Sequence, residues 1–142
     1  MVKKITIAID AMGGENAPEK TIEGVKLFLK NNQTHDDFII NLFGDKKKIE
    51  EKLKKENIDR TNLKITHTDS VVADDETPLT AIKNSKNTSM WNCISSQVTG
   101  DADISLSAGN TGVLLVVSRM ILKMMDDVSK PCLLYTSDAA DD

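Results

Sequence analysis

The stretch that decides the fold is residues 4–14, KITIAIDAMGG. Residues 4–10 are rich in β-branched Ile and Thr, and the run stops at Asp10, so they predict a buried β-strand. Gly13 and Gly14 follow closely, and two adjacent glycines favour a tight turn after the strand. The segment therefore predicts a strand that ends in a glycine turn, which is how strands of α/β proteins commonly pass into helices.

The residues after this turn predict the first helix. Asn16 is a good N-cap residue, Pro18 suits the first turn of a helix, and Glu19 complements the positive end of the helix dipole. The helix is expected to run to about Lys30. Its buried face, at three- and four-residue spacing, is made by Ile22, Val25 and Leu29.

The alternation of strands and helices continues along the chain. Further strands are predicted at residues 38–43, 63–66 and 102–107, and further helices at residues 45–57, 78–86, 88–98 and 113–125. The last helix is expected to be largely buried because its residues are mostly apolar. This alternation predicts a parallel sheet with right-handed crossovers and helices on its faces, that is, an α/β fold.

Length and composition restrict the possible functions. The chain has 142 residues, which suits one domain, and 39% hydrophobic residues, which can form a core. Its formal charge of −4 gives no basic surface for general nucleic-acid binding. No apolar run is long enough for a signal peptide or a membrane-spanning helix. A cytoplasmic protein without a nucleic-acid partner is expected.

The cysteines and histidines predict neither a metal site nor a catalytic triad. Cys93 and Cys132 lack Cys-x-x-Cys spacing and a nearby histidine cluster, so no metal and no cofactor is expected. His35 and His67 lie in polar surroundings without a paired nucleophile and are expected to be ordinary surface residues. Cys93 falls in a predicted helix and is interpreted as a core cysteine rather than an acyl-carrying nucleophile.

Two strand-to-helix junctions have the chemistry of an anion site. They are residues 10–18, DAMGGENAP, and residues 107–112, SAGNTG. Each places small residues and free backbone N–H groups at a helix start, where the helix dipole also favours an anion such as phosphate. Neither fits the Gly-x-Gly-x-x-Gly or Walker pattern, so no dinucleotide or nucleoside triphosphate is indicated. A tight turn with glycines for steric reasons alone explains each segment about as well.

Asp10 ends a buried strand, where an unpaired carboxylate is costly, so it is expected to have a partner. One interpretation is a structural bond to N–H groups of the following turn. The other is that Asp10 orients a Lys, an Asn or a hydroxyl that touches phosphate. Because a carboxylate repels phosphate, the orienting role is favoured over direct contact.

The two junctions, with Thr88-Ser89-Met90 between them, resemble the amino-terminal part of the bacterial phosphate acyltransferases, also called acyl-acyl-carrier-protein:phosphate transacylases. The resemblance implies a three-layer α/β/α fold with a mainly parallel sheet, which is truncated here because family members are much longer. It implies transfer of a fatty acyl group from acyl carrier protein to inorganic phosphate, giving acyl phosphate for phospholipid synthesis. It also implies a homodimer, and peripheral membrane contact through the missing C-terminal part.

Inorganic phosphate is expected to bind at residues 107–112, because this turn exposes N–H donors with the positive end of the following helix dipole behind them, and Asn110 and Thr111 are expected to help. Asp10 and Asn110 are predicted to be the catalytic residues. The predicted phosphate ligands are Gly13, Gly14, Asn16, Lys83, Ser89, Ser107, Gly109, Thr111 and Gly112. Two positions depart from the family pattern. Glu15 stands where Asp is common, and Lys83 stands in a stretch where Arg followed by Lys is frequent, so that the cation is kept and the bidentate fork is lost.

The end of the chain does not resemble the family. Residues 1–134 are interpreted as the amino-terminal part of the acyltransferase domain, and residues 135–142, YTSDAADD, as a non-native or disordered tail. The chain alone is expected to be inactive. It would lack both a complete sheet and the surfaces that dock an acyl-carrier-protein thioester and hold its acyl chain.

Two other functions fit the same residues. One is a phosphate-binding α/β module without turnover, which phosphate-dependent consumption of a thioester would separate from an enzyme. The other is an acetyl-transferring enzyme of the phosphotransacetylase type, which the chain length of the acyl donor would separate from the long-chain enzyme. In either enzyme phosphate is itself a nucleophile, so direct attack is the simpler mechanism.

Overall fold

The predicted order of strands and helices is confirmed. The computed structural model describes residues 4–32, 37–73, 75–84 and 86–132. The elements are β1 (Ile5–Asp10), α1 (Glu19–Asn31), β2 (Phe38–Gly44), α2 (Lys46–Lys55), β3 (Leu63–His67), α3 (Pro78–Asn84), α4 (Ser89–Val98), β4 (Ile104–Ser107) and α5 (Thr111–Leu122). The predicted bounds differ from these by a few residues at most of the ends.

The four strands form one parallel sheet in the order β3-β2-β1-β4. The chain builds outward from β1 to β2 and β3, and then returns to the other side of β1 to add β4. The direction of winding therefore reverses between β1 and β4. In open α/β sheets this reversal opens a crevice at the carboxyl ends of the two strands, and ligands bind there.

Helices α1 and α2 cover one face of the sheet. Alternate residues of β2 point to this face because successive side chains of a strand point to opposite sides. They meet the apolar stripes of the two helices in a core of Ala11, Ile22, Val25, Phe38, Ile40, Leu42, Ile49 and Leu53. Helix α2 begins at Asp45, whose side chain accepts hydrogen bonds from the Lys47 and Lys48 N–H groups.

Helix α4 covers the opposite face, over β1 and β4. Its Cys93 packs with Ala8 of β1, Phe43 of β2 and Ala102 before β4. Helices α3 and α5 pack beside it in a second core of Val72, Ala81, Met90, Ile94, Val113 and Val117. The sheet thus lies between two layers of helices, as an α/β fold requires.

The prediction of a largely buried last helix is wrong. Only Val113 and Val117 of α5 are buried, while Met120 and Leu122 are 49% and 37% exposed. Helix α5 packs against α3 and α4 on one side, and β4 is the last strand of the sheet on that side. The other side of α5 therefore has no strand beneath it in the described residues.

The predicted cap of the first helix is also wrong. Asn16 has a φ of 55°, whereas an N-cap residue normally has an extended backbone. The Ala17–Pro18 peptide bond is cis, and Pro18 takes the N-cap position, with no side-chain hydrogen bond to the helix. Helix α1 therefore starts at Glu19, and Pro18 precedes the first turn instead of lying in it.

Within the described residues, none of the helices combines the length and the apolar character that crossing a bilayer demands.

An ion-pair cluster joins α1 to the end of α2, and it gives the fold a testable pH dependence. The Glu56 carboxylate lies 2.9 Å from Lys26 Nζ and 3.1 Å from Lys52 Nζ. The hydrogen bond from Lys26, followed by that from Lys52, lowers the pKa of Glu56 from its ordinary 4.5 to about 2. Because the folded-state pKa is depressed, the contribution to stability is present above pH 4.5 and is lost as the pH falls towards 2.

Glu56→Gln should therefore lower the unfolding temperature at pH 7, and the difference from the unchanged protein should disappear near pH 2. Glu51→Gln is the matched control, because Glu51 is exposed on the same helix and makes no ion pair in the described part of the chain. Thermal unfolding followed by circular dichroism at several pH values measures both variants. If Glu56→Gln lowered the unfolding temperature by the same amount at every pH from 7 to 2, the lowered pKa of Glu56 would be contradicted.

Candidate functional site

The two glycine junctions meet at the point where the winding of the sheet reverses. Asp10 of β1 and Ser107 of β4 are direct neighbours in the parallel register. The turns that follow them touch: a Cβ atom built on Gly13 would lie 2.9 Å from the Gly109 nitrogen, and one built on Gly109 would lie 3.4 Å from the Gly13 Cα. Two segments almost a hundred residues apart in sequence therefore lie in contact at the carboxyl ends of neighbouring strands, where open α/β sheets bind ligands.

Neither turn has room for a side chain at its contact point. A Cβ on Gly13 would come within 2.6 Å of Asp10 Oδ2 and 2.9 Å of Ser107 Oγ. Gly14 has a φ of 91°, and a Cβ there would lie 2.7 Å from the Ala108 carbonyl oxygen. The glycines are needed because backbone packs directly against backbone.

Asp10 accepts two hydrogen bonds, one from the turn that follows it and one from the end of β4. It is only 2% exposed. Its Oδ1 accepts a hydrogen bond from the Met12 N–H at 3.2 Å, and its Oδ2 accepts one from the Ser107 hydroxyl at 2.7 Å. The Ser107 oxygen in turn accepts the Gly109 N–H at 3.1 Å. One buried carboxylate thus holds the beginnings of both turns.

Asn110 is the N-cap of α5. Its Oδ1 accepts a hydrogen bond from the Val113 N–H at 3.1 Å, which satisfies one of the donors at the helix start. Its Nδ2 donates to the Glu76 carbonyl oxygen at 3.0 Å. Sequence reasoning did not anticipate Glu76, because a backbone carbonyl that serves as a partner carries no side-chain signal.

Two backbone donors remain open at the start of α5. The Leu114 N–H bonds to the Asn110 carbonyl, and the Gly109 and Val113 N–H groups have the partners given above. Within the described residues, the N–H groups of Thr111 and Gly112 donate to no protein acceptor. These open donors lie at the positive end of the α5 dipole.

Ser89 belongs to the third motif, Thr88-Ser89-Met90, which packs next to the second glycine turn through Met90. Ser89 is fully buried at the first turn of α4, and its Oγ has no hydrogen-bond partner within the described residues. Its N–H donates to the Ser70 carbonyl oxygen, and the adjacent Met90 packs its methyl group against Gly109. Thr68 Oγ1, just past β3, is a second buried hydroxyl without a partner in the described residues. Sequence reasoning did not find Thr68, since a lone threonine after a strand gives no signal.

The other two predicted phosphate ligands, Asn16 and Lys83, are exposed. Asn16 is exposed two residues after Gly14, and its side chain makes no hydrogen bond within the described residues. Lys83 is exposed in the last turn of α3, five residues after Pro78, whose ring packs beside Gly112. Five residues correspond to about 7.5 Å along a helix. The structure therefore brings the two glycine turns and Ser89 to one region, and gives Asn16 and Lys83 no direct contact with the turns.

Cys93 has the properties of a core residue. Its side chain is buried beneath the site, and its Sγ donates to the Leu106 carbonyl oxygen at 3.7 Å. Burial, followed by the nearby Asp10 carboxylate, raises the pKa of the Cys93 thiol to about 12. At neutral pH the thiol is therefore protonated, and a thiol is a poor nucleophile compared with the thiolate.

His67 does not contribute to the site. His67 lies at the end of β3, where its Nδ1 accepts a hydrogen bond from the Lys46 N–H at the start of α2, and its Nε2 lies 2.9 Å from Asp69 Oδ1. His67 is thus tied to a helix start rather than left as an isolated surface residue. His35 lies outside the described residues. No group of three or more metal-ligating side chains occurs in the described part of the chain.

The comparisons with known proteins agree with this architecture. A family model described as "Fatty acid synthesis protein" matches residues 5–138, and the chain belongs to this family. The chain is similar to the phosphate acyltransferase of Pelagibacter ubique, with 42% identity over 133 residues that make up 94% of this chain. It is also similar to the phosphate acyltransferases of Lactococcus lactis, with 38% identity over 95% of the chain, and Enterococcus faecalis, with 39% identity over 92%.

The chain spans less than two fifths of the length of these relatives. The matched part covers 38% of the Pelagibacter ubique protein, 39% of the Lactococcus lactis protein and 37% of the Enterococcus faecalis protein. The resemblance to the amino-terminal part of this group is confirmed. Residues 133–142, which include the predicted non-native tail, lie outside the described residues, and their interpretation stays a prediction.

Gly13→Ala should destabilise the protein, because its methyl group would be forced against the Asp10 carboxylate and the Gly109 nitrogen. Overpacking of this kind costs about 1–3 kcal/mol. Gly24→Ala is the control: a Cβ at Gly24, in the middle of α1, would meet nothing within 4 Å. Since Ala favours a helix over Gly by about 0.8–1 kcal/mol, Gly24→Ala should stabilise. Denaturant unfolding measures both, and equal effects of the two variants would contradict the close contact of the turns.

Cys93 should resist alkylation in the folded protein, because its thiol is buried and protonated. Cys132 is exposed and should react rapidly with iodoacetamide at pH 8. Mass spectrometry after timed labelling distinguishes the two cysteines, and adding denaturant should make Cys93 react like Cys132. Rapid labelling of Cys93 without denaturant would show that its environment differs from the one described.

Proposed function

We propose that this chain is the phosphate-binding part of an enzyme that transfers a fatty acyl group from acyl carrier protein to inorganic phosphate. The observation that carries the proposal is the pair of open N–H groups of Thr111 and Gly112, at the reversal point of the sheet. The relatives are named phosphate acyltransferases, and the family is described as one of fatty acid synthesis. An anion site at this position is what such a reaction requires.

Phosphate would lie in front of the α5 start, with the glycine backbone of the first turn beside it. The dipole of a helix contributes about 0.3–2 kcal/mol to anion binding, so other donors have to add to it. The exposed Thr111 hydroxyl stands at the same helix start. The Ser89 hydroxyl at the neighbouring helix start has no partner in the described residues, but it is fully buried and does not face the open N–H groups. Lys83 would reach phosphate only if its long side chain extends towards the site.

The proposed reaction is a direct displacement. An oxygen of the bound phosphate attacks the thioester carbonyl, and a tetrahedral oxyanion forms. When it collapses, the new carbon–oxygen bond remains, the carbon–sulfur bond breaks, and the carrier thiolate leaves and takes a proton from solvent. Positioning the two reactants and stabilising the oxyanion are the main contributions that a protein makes to such a step. A protonated, buried Cys93 argues against an acyl-cysteine intermediate.

Asn110 would act chiefly by fixing the start of α5. Both of its side-chain ends are engaged, with Val113 in the helix and with Glu76 in the loop before α3. Through these bonds it sets the direction of the Thr111 and Gly112 N–H groups. The predicted catalytic roles of Asn110 and Asp10 thus become, in our proposal, roles in holding the binding turns.

The partners implied by the family stay proposals. Docking of acyl carrier protein, a groove for the acyl chain, a homodimer and contact with a membrane surface would involve the remainder of a full-length protein. The chain itself supplies the sheet and the two glycine turns.

Phosphate should shift the amide resonances of Thr111 and Gly112. The experiment uses the chain continued to the length of its relatives by the C-terminal part of the Pelagibacter ubique protein, called here the extended protein. Titration with inorganic phosphate, followed by amide NMR, should change the chemical shifts of these two amides and of the neighbouring Gly109 and Asn110 amides. Chloride at equal ionic strength is the control. Shifts confined to distant loops would contradict the site.

Asn110→Ala in the extended protein should reduce phosphate-dependent thioester cleavage far more than Cys93→Ala does. Loss of an N-cap side chain costs about 1 kcal/mol at the helix start, and here it also frees the loop at Glu76. Release of the carrier thiol, measured with a thiol reagent at varied phosphate concentration, gives kcat and KM. If the extended protein binds phosphate but never consumes a thioester, the chain belongs to a binding module rather than an enzyme.

A further inference from the structure

We propose that Asp10 and Ser107 are a positioning pair for the phosphate site, and that neither of them touches phosphate. The Asp10 carboxylate holds the Ser107 hydroxyl, whose oxygen holds the Gly109 N–H, and this chain of bonds fixes the turn from which Thr111 and Gly112 present their N–H groups. The inference rests on the proposed function, because it takes phosphate to bind at the start of α5.

The hydrogen-bonding capacity of Ser107 shows why its hydroxyl does not donate to phosphate. A serine hydroxyl has one proton to donate and two lone pairs to accept with. An ionised carboxylate can only accept, so the 2.7 Å bond between Ser107 Oγ and Asp10 Oδ2 uses the serine proton. The Gly109 N–H occupies one lone pair at 3.1 Å. Phosphate oxygens need donors, and Ser107 has no proton left for them.

Asp10 is shielded from the site by backbone. It is 2% exposed, and Gly13 lies so close that a Cβ there would be 2.6 Å from Oδ2. Its two oxygens have separate tasks, since Oδ1 holds the Met12 N–H in the first turn and Oδ2 holds Ser107 before the second. The carboxylate therefore influences phosphate binding by holding the two turns in position, and Gly13 separates it from the bound phosphate.

The bonds continue in one direction from Asp10 to the binding donors. Gly109 is fixed by Ser107, and Asn110 follows directly and caps α5. Gly109 is also pressed against Gly13, so the position of Gly109 is set from two sides. Without the Ser107 hydroxyl, the Gly109 N–H would lose its acceptor and Asp10 would lose one of its two donors. The turn would then be held by packing alone.

The test compares Ser107→Thr with Ser107→Val in the extended protein. The two side chains have nearly the same shape and both suit a strand, but only Thr keeps the hydroxyl. Ser107→Thr should leave the KM for phosphate within about threefold of the unchanged protein. Ser107→Val should raise it about tenfold to a hundredfold, the range expected when a hydrogen bond to a charged group is lost. The KM for the acyl donor should change little in either variant.

Hydrogen exchange of the Gly109 amide gives a second readout that does not depend on activity. Exchange should be faster in Ser107→Val than in Ser107→Thr, because only Val removes the acceptor. If Ser107→Val does not fold, Ser107→Ala replaces it, because Ala removes the hydroxyl without adding bulk. The same faster exchange of the Gly109 amide and the same higher KM for phosphate are expected. Asp10→Asn should also raise the KM for phosphate, since an amide has one acceptor oxygen for the two donors. In the Ser107→Val background, Asp10→Asn should raise the KM for phosphate by a smaller factor than it does in the unchanged protein, because one of the bonds that it weakens is already lost.

The outcomes separate this inference from the proposed function. Equal KM values and equal Gly109 exchange in the Thr and Val variants would overturn the positioning pair. A raised KM in Ser107→Val with unchanged Gly109 exchange would also overturn it, because Ser107 would then contact phosphate itself. If the unchanged extended protein neither binds phosphate nor consumes a thioester, the proposed function fails, and so does the part of this inference that concerns phosphate.

Discussion

The rest of the structure depends on satisfying one buried carboxylate. Asp10 lies at the end of β1 with 2% of its surface exposed, where an ion without partners would be unfavourable by several kcal/mol, of the order of 3–5. It obtains donors from Met12, two residues later, and from Ser107, in the neighbouring strand. The first donor requires a tight turn, and the second requires that β4 lie beside β1. Gly13 has to remain without a side chain, because a Cβ there would lie 2.6 Å from Asp10 Oδ2 and 2.9 Å from Ser107 Oγ.

The order of the strands gives this interaction its place in the fold. Because the chain returns across the sheet after β3, the ends of β1 and β4 become neighbours, and helices start from both on opposite faces. The two glycine turns then face each other with their backbones in contact. A carboxylate that serves stability therefore also sets the direction of the α5 donors, so that folding and the proposed binding of phosphate depend on the same hydrogen bonds.

Most of the fold could be predicted from local patterns, and so could the two halves of the site. The strand and helix bounds follow from β-branched runs and three- and four-residue spacing, and the glycine turns mark the strand ends. Features set by distant contacts could not be read in this way. The bond of Asn110 to the Glu76 carbonyl, and the Thr68 and Ser89 hydroxyls that have no partner within the described residues, depend on where the segment between β3 and α3 lies. Asn16 failed as a cap because its own backbone is left-handed. Helix α5 is more exposed than its apolar sequence predicts because β4 is the edge strand of the sheet within the described residues.

In our proposal the two glycine turns form one phosphate site. A crystal structure of the extended protein grown with inorganic phosphate tests it most directly. Phosphate oxygens are expected at hydrogen-bond distance, about 2.7–3.2 Å, from the Thr111 and Gly112 nitrogens, with the Ser107 hydroxyl still bonded to Asp10. Phosphate bound elsewhere, or bound by the Ser107 hydroxyl in place of Asp10, would contradict it.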